Sequence, residues 1–244
     1  MRRLVLGLMT ALSLTFMPVT SATALAGDPN FHRPTEGDCH DYDLAGLYEQ
    51  ADTSPIVLCT ERHTAKVHKV FLLPDSVSWS DLDAVGRAMD KRCRTSFEEL
   101  LGRSELTHAL TAYGKAWFIP TKAERNQGAR WVRCDVVLFG GNTALAPLAY
   151  DAAPLVPNPI TDSVRKCLTG KYYWTTCERS HSWRASGDFN VRKGKYPTAK
   201  QMRAIAIKKC SPMVTSSRFH WVGPTKEAWK HDYRVMVCFS KTTR

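Results

Sequence analysis

Apolar residues recur along this chain with two periods, and the change from one to the other marks its elements. Between 80 and 101, Leu82, Val85, Met89, Cys93, Phe97 and Leu101 stand three or four positions apart, the signature of one helical face. Asp81 and Asp83 open that stretch and Lys91, Arg92 and Arg94 lie nearer its end, the charge order a helix dipole favours. A second helix is predicted after Pro197, where Thr198 and Gln201 have capping-box spacing and Met202, Ile205, Ala206 and Cys210 share a face. Both helical cysteines then point into a core. Strands read differently: Tyr233, Val235, Val237 and Phe239 alternate with Arg234, Met236 and Cys238, while 131–139 is rich in β-branched and aromatic residues. The runs 56–59 and 65–73 have the same character. A few antiparallel strands with one main helix on a face predict an α+β fold.

The chain also matches itself. Cys39, Cys59, Cys93 and Cys134 form one set, and Cys167, Cys177, Cys210 and Cys238 form another. Trp117, Pro120, Thr121, Lys122, Arg130 and Cys134 align without a gap on Trp221, Pro224, Thr225, Lys226, Arg234 and Cys238. Cys59 is followed four positions later by His63, and Cys177 by His181. The first two cysteines enclose 19 residues in the first copy and 9 in the second, variation that suits a loop. These matches predict two small disulfide-stapled modules in tandem, residues 30–146 and 164–244, joined by a Pro- and Ala-rich linker at 147–163 that reads as semi-extended.

Composition adds a compartment. Arg2 and Arg3 precede an apolar run from 4 to 17, and Ala24-Leu25-Ala26 has the small-x-small pattern of a cleavage site, so residues 1–26 read as a signal peptide. Thr10, Ser13, Thr15 and Pro18 interrupt the run, which argues against an anchor and for a mature chain without a transmembrane segment. Export places the eight cysteines where disulfides persist. An inward helix cysteine above a strand cysteine argues for Cys93–Cys134 and Cys210–Cys238, leaving Cys39–Cys59 and Cys167–Cys177 to pin adjacent strands; other pairings stay open on sequence alone. Loss of Arg2 and Arg3 lowers the formal charge from +11 to +9. A basic exported chain points to anionic wall polymers or lipid headgroups. No block of five like charges marks a nucleic-acid arm, and nucleic acid is not an expected partner.

Candidate chemistry is sparse. A cysteine and a histidine four apart could meet on a helix as a thiol nucleophile or a metal site. Cys59 and Cys177 instead end strand-like runs in an oxidising space, so His63 and His181 are expected to hydrogen-bond a turn beside a disulfide. No metal or cofactor is expected. The hydrolase elbow Gly-x-Ser-x-Gly, the zinc motif His-Glu-x-x-His, a glycine phosphate loop and Cys-x-x-Cys are missing from the sequence, and no acidic pair recurs in both copies. Trp79, Trp183 and Trp229 stand in polar surroundings where exposure and sugar stacking are plausible. Trp117 and Trp221, at matched distances from Pro120 and Pro224, are expected in the core.

Gly37-Asp38-Cys39, then Val57-Leu58-Cys59 with His63, a helix cysteine, and a Trp-x-x-Pro segment leading to Arg-Trp-Val-Arg-Cys134 resemble the septum-formation domain of actinobacterial exported proteins. The first copy resembles it over about 110 residues; the second keeps Cys177, His181, Cys210 and Cys238 but lacks Gly-Asp before Cys167, and both copies lack the family's Pro before His. The resemblance implies an envelope protein linked to septum formation and transfers no chemistry. The expected function is therefore a non-catalytic cell-envelope protein that binds a wall polymer, a membrane surface or a partner protein. A secreted wall-active hydrolase and an extracytoplasmic sensor or inhibitor domain are the alternatives.

Overall fold

The computed structural model describes residues 27–102, 105–149 and 155–242. The expected signal peptide at 1–26 lies outside them, as does part of the expected linker. Every strand pairing is antiparallel and the helices are few, an α+β arrangement held by four disulfides.

The first sheet contains β1 (Cys39–His40), β2 (Ile56–Val57), β3 (Ala65–Leu72), β4 (Tyr113–Phe118), β5 (Trp131–Phe139) and β6 (Leu145–Ala146), in the order β2-β1-β3-β5-β4 with β6 beside β5. Helix α1 (Leu82–Leu101) lies across one face. It starts where the Asp81 carboxylate accepts from the Ala84 N–H and stops at Gly102, whose φ of 61° is the left-handed conformation of a helix end. Val85, Met89 and Cys93 pack against Phe71, Leu73, Val132 and Cys134, and Leu101 joins Val136 and Leu138. Leu82, expected on the buried face, is exposed because it is the first helical residue and overhangs the sheet. Short helices α2 (Glu105–Ala109) and α3 (Lys122–Asn126) flank β4.

The second sheet contains β7 (Lys166–Leu168), β8 (Trp174–Thr176), β9 (Trp183–Asn190), β10 (Phe219–Val222) and β11 (Val235–Lys241), ordered β8-β7-β9-β11-β10. Helix α4 (Ala199–Cys210) begins with the capping box of Thr198 and Gln201, and α5 (Lys226–Lys230) begins at Thr225 as α3 begins at Thr121. Strand for strand, this is the order of the first sheet. The agreement extends to defects in the ladders. One residue bulges between Val67 and Lys69 in β3, and one between Ala185 and Gly187 in β9. The extra residues, His68 and Ser186, each stand five positions after the histidine of their set.

The two sheets touch. Thr111 bridges Arg165, Ala112 N–H donates to Val164 (2.8 Å) and Lys166 N–H to Leu110 (2.8 Å). Leu106, Ala109 and Leu110, in and after α2, pack on Leu168, Ala185, Val237 and Phe239. The described part of 147–163 is docked as well: Leu148 and Val156 are buried with Tyr113 and Leu138, and the Tyr113 hydroxyl donates to Leu155 C=O (2.8 Å). Apolar side chains spaced among the prolines explain why this stretch lies on the sheet instead of standing extended in water.

Candidate functional site

The cysteine–histidine pairs come first, because both sets carry them. The bridges are Cys39–Cys59, Cys93–Cys134, Cys167–Cys177 and Cys210–Cys238, each with Cα atoms 5.1–5.4 Å apart. The helix-to-strand pairs cross the core; the other two tie the first strand of each set to the turn after the second. His63 and His181 are buried beside these latter bridges. Each Nδ1 lies against the backbone carbonyl two residues earlier, Glu61 at 2.9 Å and Arg179 at 2.7 Å. With a proton on Nδ1, each imidazole donates to that carbonyl and closes the turn. Cys167, Cys177 and His181 bring three potential ligand atoms within 4.8 Å. Both sulfurs are bonded to each other, so this oxidised form offers no thiolate to a metal.

The tryptophans are distributed differently from expectation. Trp117 is 40 % exposed: it sits opposite Cys134 on β4, the edge strand of the sheet. Trp221, opposite Cys238, is half-buried against Phe219. Pro120 and Pro224 are buried, just before the caps of α3 and α5. Trp229 is buried, with its indole N–H donating to Gly194 C=O (3.0 Å) and the Arg234 guanidinium 3.9 Å above its ring, so it is core and not a sugar platform. Trp183 stays half-buried under Tyr172, in a ring group that includes His220 and Lys241.

A buried polar network, which sequence reasoning missed, lies on the face of the first sheet away from α1. Arg133 Nη2 donates to Asp52 (2.6 Å) and Asp135 (2.9 Å), and Tyr42 OH donates to Asp135 (3.1 Å). Ser54 OH donates to Asp52 (2.8 Å), and His40 lies between Ser54 and Arg133 at 3.2 Å from each. Burial pushes the Asp135 carboxyl up to about 6 against the pull of Arg133. At Asp52 the burial effect is overcome by the hydrogen bonds from Arg133 and Ser54, which hold that carboxyl below its usual range. Two carboxylates driven apart in this way can mark an acid–base pair. Here the Arg133 and Asp135 side chains are 4 % and 0 % exposed, closed to any substrate, and the network fastens the 41–54 loop to the sheet. Its partners stand up to 93 residues apart, beyond any local pattern.

The open chemistry lies on α1. Lys69, Arg87, Lys91 and Arg92 line a groove of about 640 Å³ over Phe71 and Pro74. Arg87 and Lys91 are one helical turn apart, and the Arg92 guanidinium stacks 4.8 Å above Phe71. Glu99 lines its far end, and Glu36 pairs with Lys69 at 3.2 Å from outside. Four cations thus stand around an apolar floor. Comparison of the chain with protein-family models, with curated proteins and with solved structures gave no match.

Proposed function

We propose that this chain is an exported, non-catalytic binding protein of the cell envelope that holds an anionic polymer or headgroup in the groove along α1. The observation that carries the reading is the clustering of Lys69, Arg87, Lys91 and Arg92 around one groove, in a chain whose net charge is strongly positive. Four disulfides fit an oxidising, extracellular setting. Among the described residues no helix is long and apolar enough to cross a membrane. Descent of the two halves from one duplicated module belongs to the same reading; it is supported by the shared strand order, the matching bulges and the matching bridges. Action at the division septum is its narrowest form.

The test is binding to isolated cell wall and to anionic vesicles as salt is raised. Exposed charges are screened over about 8 Å at physiological ionic strength, so retention should fall with salt. Arg87→Glu with Lys91→Glu should reduce retention more than ten-fold at low salt. Equal retention by wild type and this variant would remove the groove from the reading. Imaging the tagged protein in dividing cells tests the septal form.

A further inference from the structure

A second cavity, separate in its chemistry from the groove, opens where the two sheets meet. It measures about 710 Å³, the size of a small-molecule site, with α1 forming one wall and α5 with Tyr233 the other. The Arg94 guanidinium reaches across and donates to His231 C=O (2.9 Å), tying the walls together. Phe97, Tyr113, Phe139, Trp174 and Tyr233 supply aromatic lining from both halves of the chain. Trp174 meets Phe139 edge-on at 5.5 Å, which fixes both rings.

Arg87, Arg94, Lys115 and His231 line the cleft with Asp90, Glu98 and Glu227 toward its exposed side, whereas two basic side chains of the lining, Lys166 and His108, are buried. Lys166 is 6 % exposed, its ammonium 4.0 Å from the centre of the Trp174 ring. Burial pushes its amine down to about 8 although Asp188 favours the charged form, so at neutral pH it is still mainly a cation. A buried ammonium is costly, and its place at an aromatic cavity wall is where a ligand anion would be met with most of its water removed. His108 is 9 % exposed, and its Nε2 is buried without a hydrogen-bond partner among the described residues. Burial lowers the basicity of this imidazole, which favours the neutral form. An orphaned ring nitrogen in a cavity wall is a polar position that a ligand can satisfy.

We propose that the cleft between the sheets binds a small aromatic or apolar organic acid, its carboxylate or sulfonate at Lys166, a second polar atom at His108 and its body against Phe97, Phe139 and Tyr233. This goes beyond the envelope-binding reading and does not rest on it: Arg87 borders both cavities, but Lys69, Lys91 and Arg92 line only the groove, and Lys166 and His108 only the cleft.

Two dyes that differ in one group test it on the full mature chain: 1-anilinonaphthalene-8-sulfonate and its uncharged parent N-phenyl-1-naphthylamine. The expected result is saturable binding of one sulfonate dye per chain, at least ten-fold tighter than the parent. Lys166→Met should remove that preference, weakening the sulfonate at least ten-fold and the parent less than two-fold. Gly86→Phe should weaken both, since Gly86 lines the cleft, a Cβ added there meets no atom within 4 Å, and the ring beyond it takes up cleft volume. This variant keeps the proposal open to refutation even where Lys166→Met fails to fold. Lys91→Glu, in the groove, should change neither. A sulfonate dye that binds without saturation, that is lost on Lys91→Glu, or that is retained in both Gly86→Phe and Lys166→Met with a sharp thermal transition, would overturn the assignment.

Discussion

Cys134 in β5 and Cys238 in β11 hold the same place in their sheets, yet the residues beside them differ in kind. Arg133 and Asp135 flank the first; Val237 and Phe239 flank the second. The faces these residues share are both buried, one by the 41–54 loop and the other by α2. The difference begins with a length. Between Cys39 and Cys59 there are 19 residues, enough to fold back over the sheet and bring Tyr42, Asp52 and Ser54 to Arg133; between Cys167 and Cys177 there are 9, too few to do so. A loop brings backbone and side-chain polar groups that need partners, so the face beneath it carries an ion network. Under α2 the face is mainly apolar, built from Leu168, Ala185, Val237 and Phe239, and its charged members are Lys166 and Asp188, fewer than the first sheet gathers under its loop. One framework thus accepts two interiors, and the cover selects between them.

The sharpest way to break this comparison is to remove the centre of the network. Arg133→Met leaves Asp52 and Asp135 buried around a lost cation and should cost about 3–5 kcal/mol in chemical denaturation. Adding Asp135→Leu should recover part of that, because it removes one of the two stranded carboxylates and leaves Asp52 with its Ser54 hydrogen bond. A cost below about 1 kcal/mol for the single change would show that the network does not hold the loop.

Next in size are the bridges between helix and strand. Replacing Cys93 and Cys134 by Ala, or Cys210 and Cys238 by Ala, should cost about 2–4 kcal/mol each. The loops they close span 41 and 28 residues, which on loop-closure entropy separates the two losses by only about 0.3 kcal/mol. A gap several times larger would mean that one half depends on its bridge far more than the other.

The network also leaves a pH signature at Asp135, distinct in position from that of Asp188 in the second sheet, whose carboxyl burial likewise pushes up to about 6. Asp135 titrates near 6 in the fold, above the ordinary value of 3.8. Its raised affinity for the proton stabilises the fold fully below the unfolded value, and that contribution is lost as pH rises through 6. Asp135→Asn does not titrate, so between pH 4 and pH 7 it should gain on wild type by roughly 2–3 kcal/mol. Parallel stability curves for the two proteins would contradict the assignment.

The smallest effect tests likeness and not difference. His63→Gln and His181→Gln should each lower stability by about 1–3 kcal/mol, as expected for a buried hydrogen-bonding group at a turn. The two losses should be similar, and neither variant should lose bound zinc measured against wild type. Loss of a stoichiometric metal with unchanged stability would reassign both histidines.

Where the code is local, the sequence carried much of this. The period of α1 from 82 to 101, the capping box at Thr198, the β-rich run of β5 and the inward cysteines are each written within twenty neighbouring residues; they favour the two helix-to-strand bridges but leave other pairings open. Strands β1, β2, β7 and β8 are only two or three residues long, and α2 and α3 span five each, too short for a period to show. The exposure of Trp117 and the burial of Trp229 depend on which strand lies at the sheet edge and on what Gly194 and Arg234 cover, which no spacing encodes. The tertiary structure alone decided that Asp52 meets Arg133 across 81 residues, and that Lys166 and His108 come to one aromatic cleft. Periodicity records which side of an element is buried. What it is buried against is chosen by contacts between distant segments, and there charge, ring and cavity acquire their chemistry.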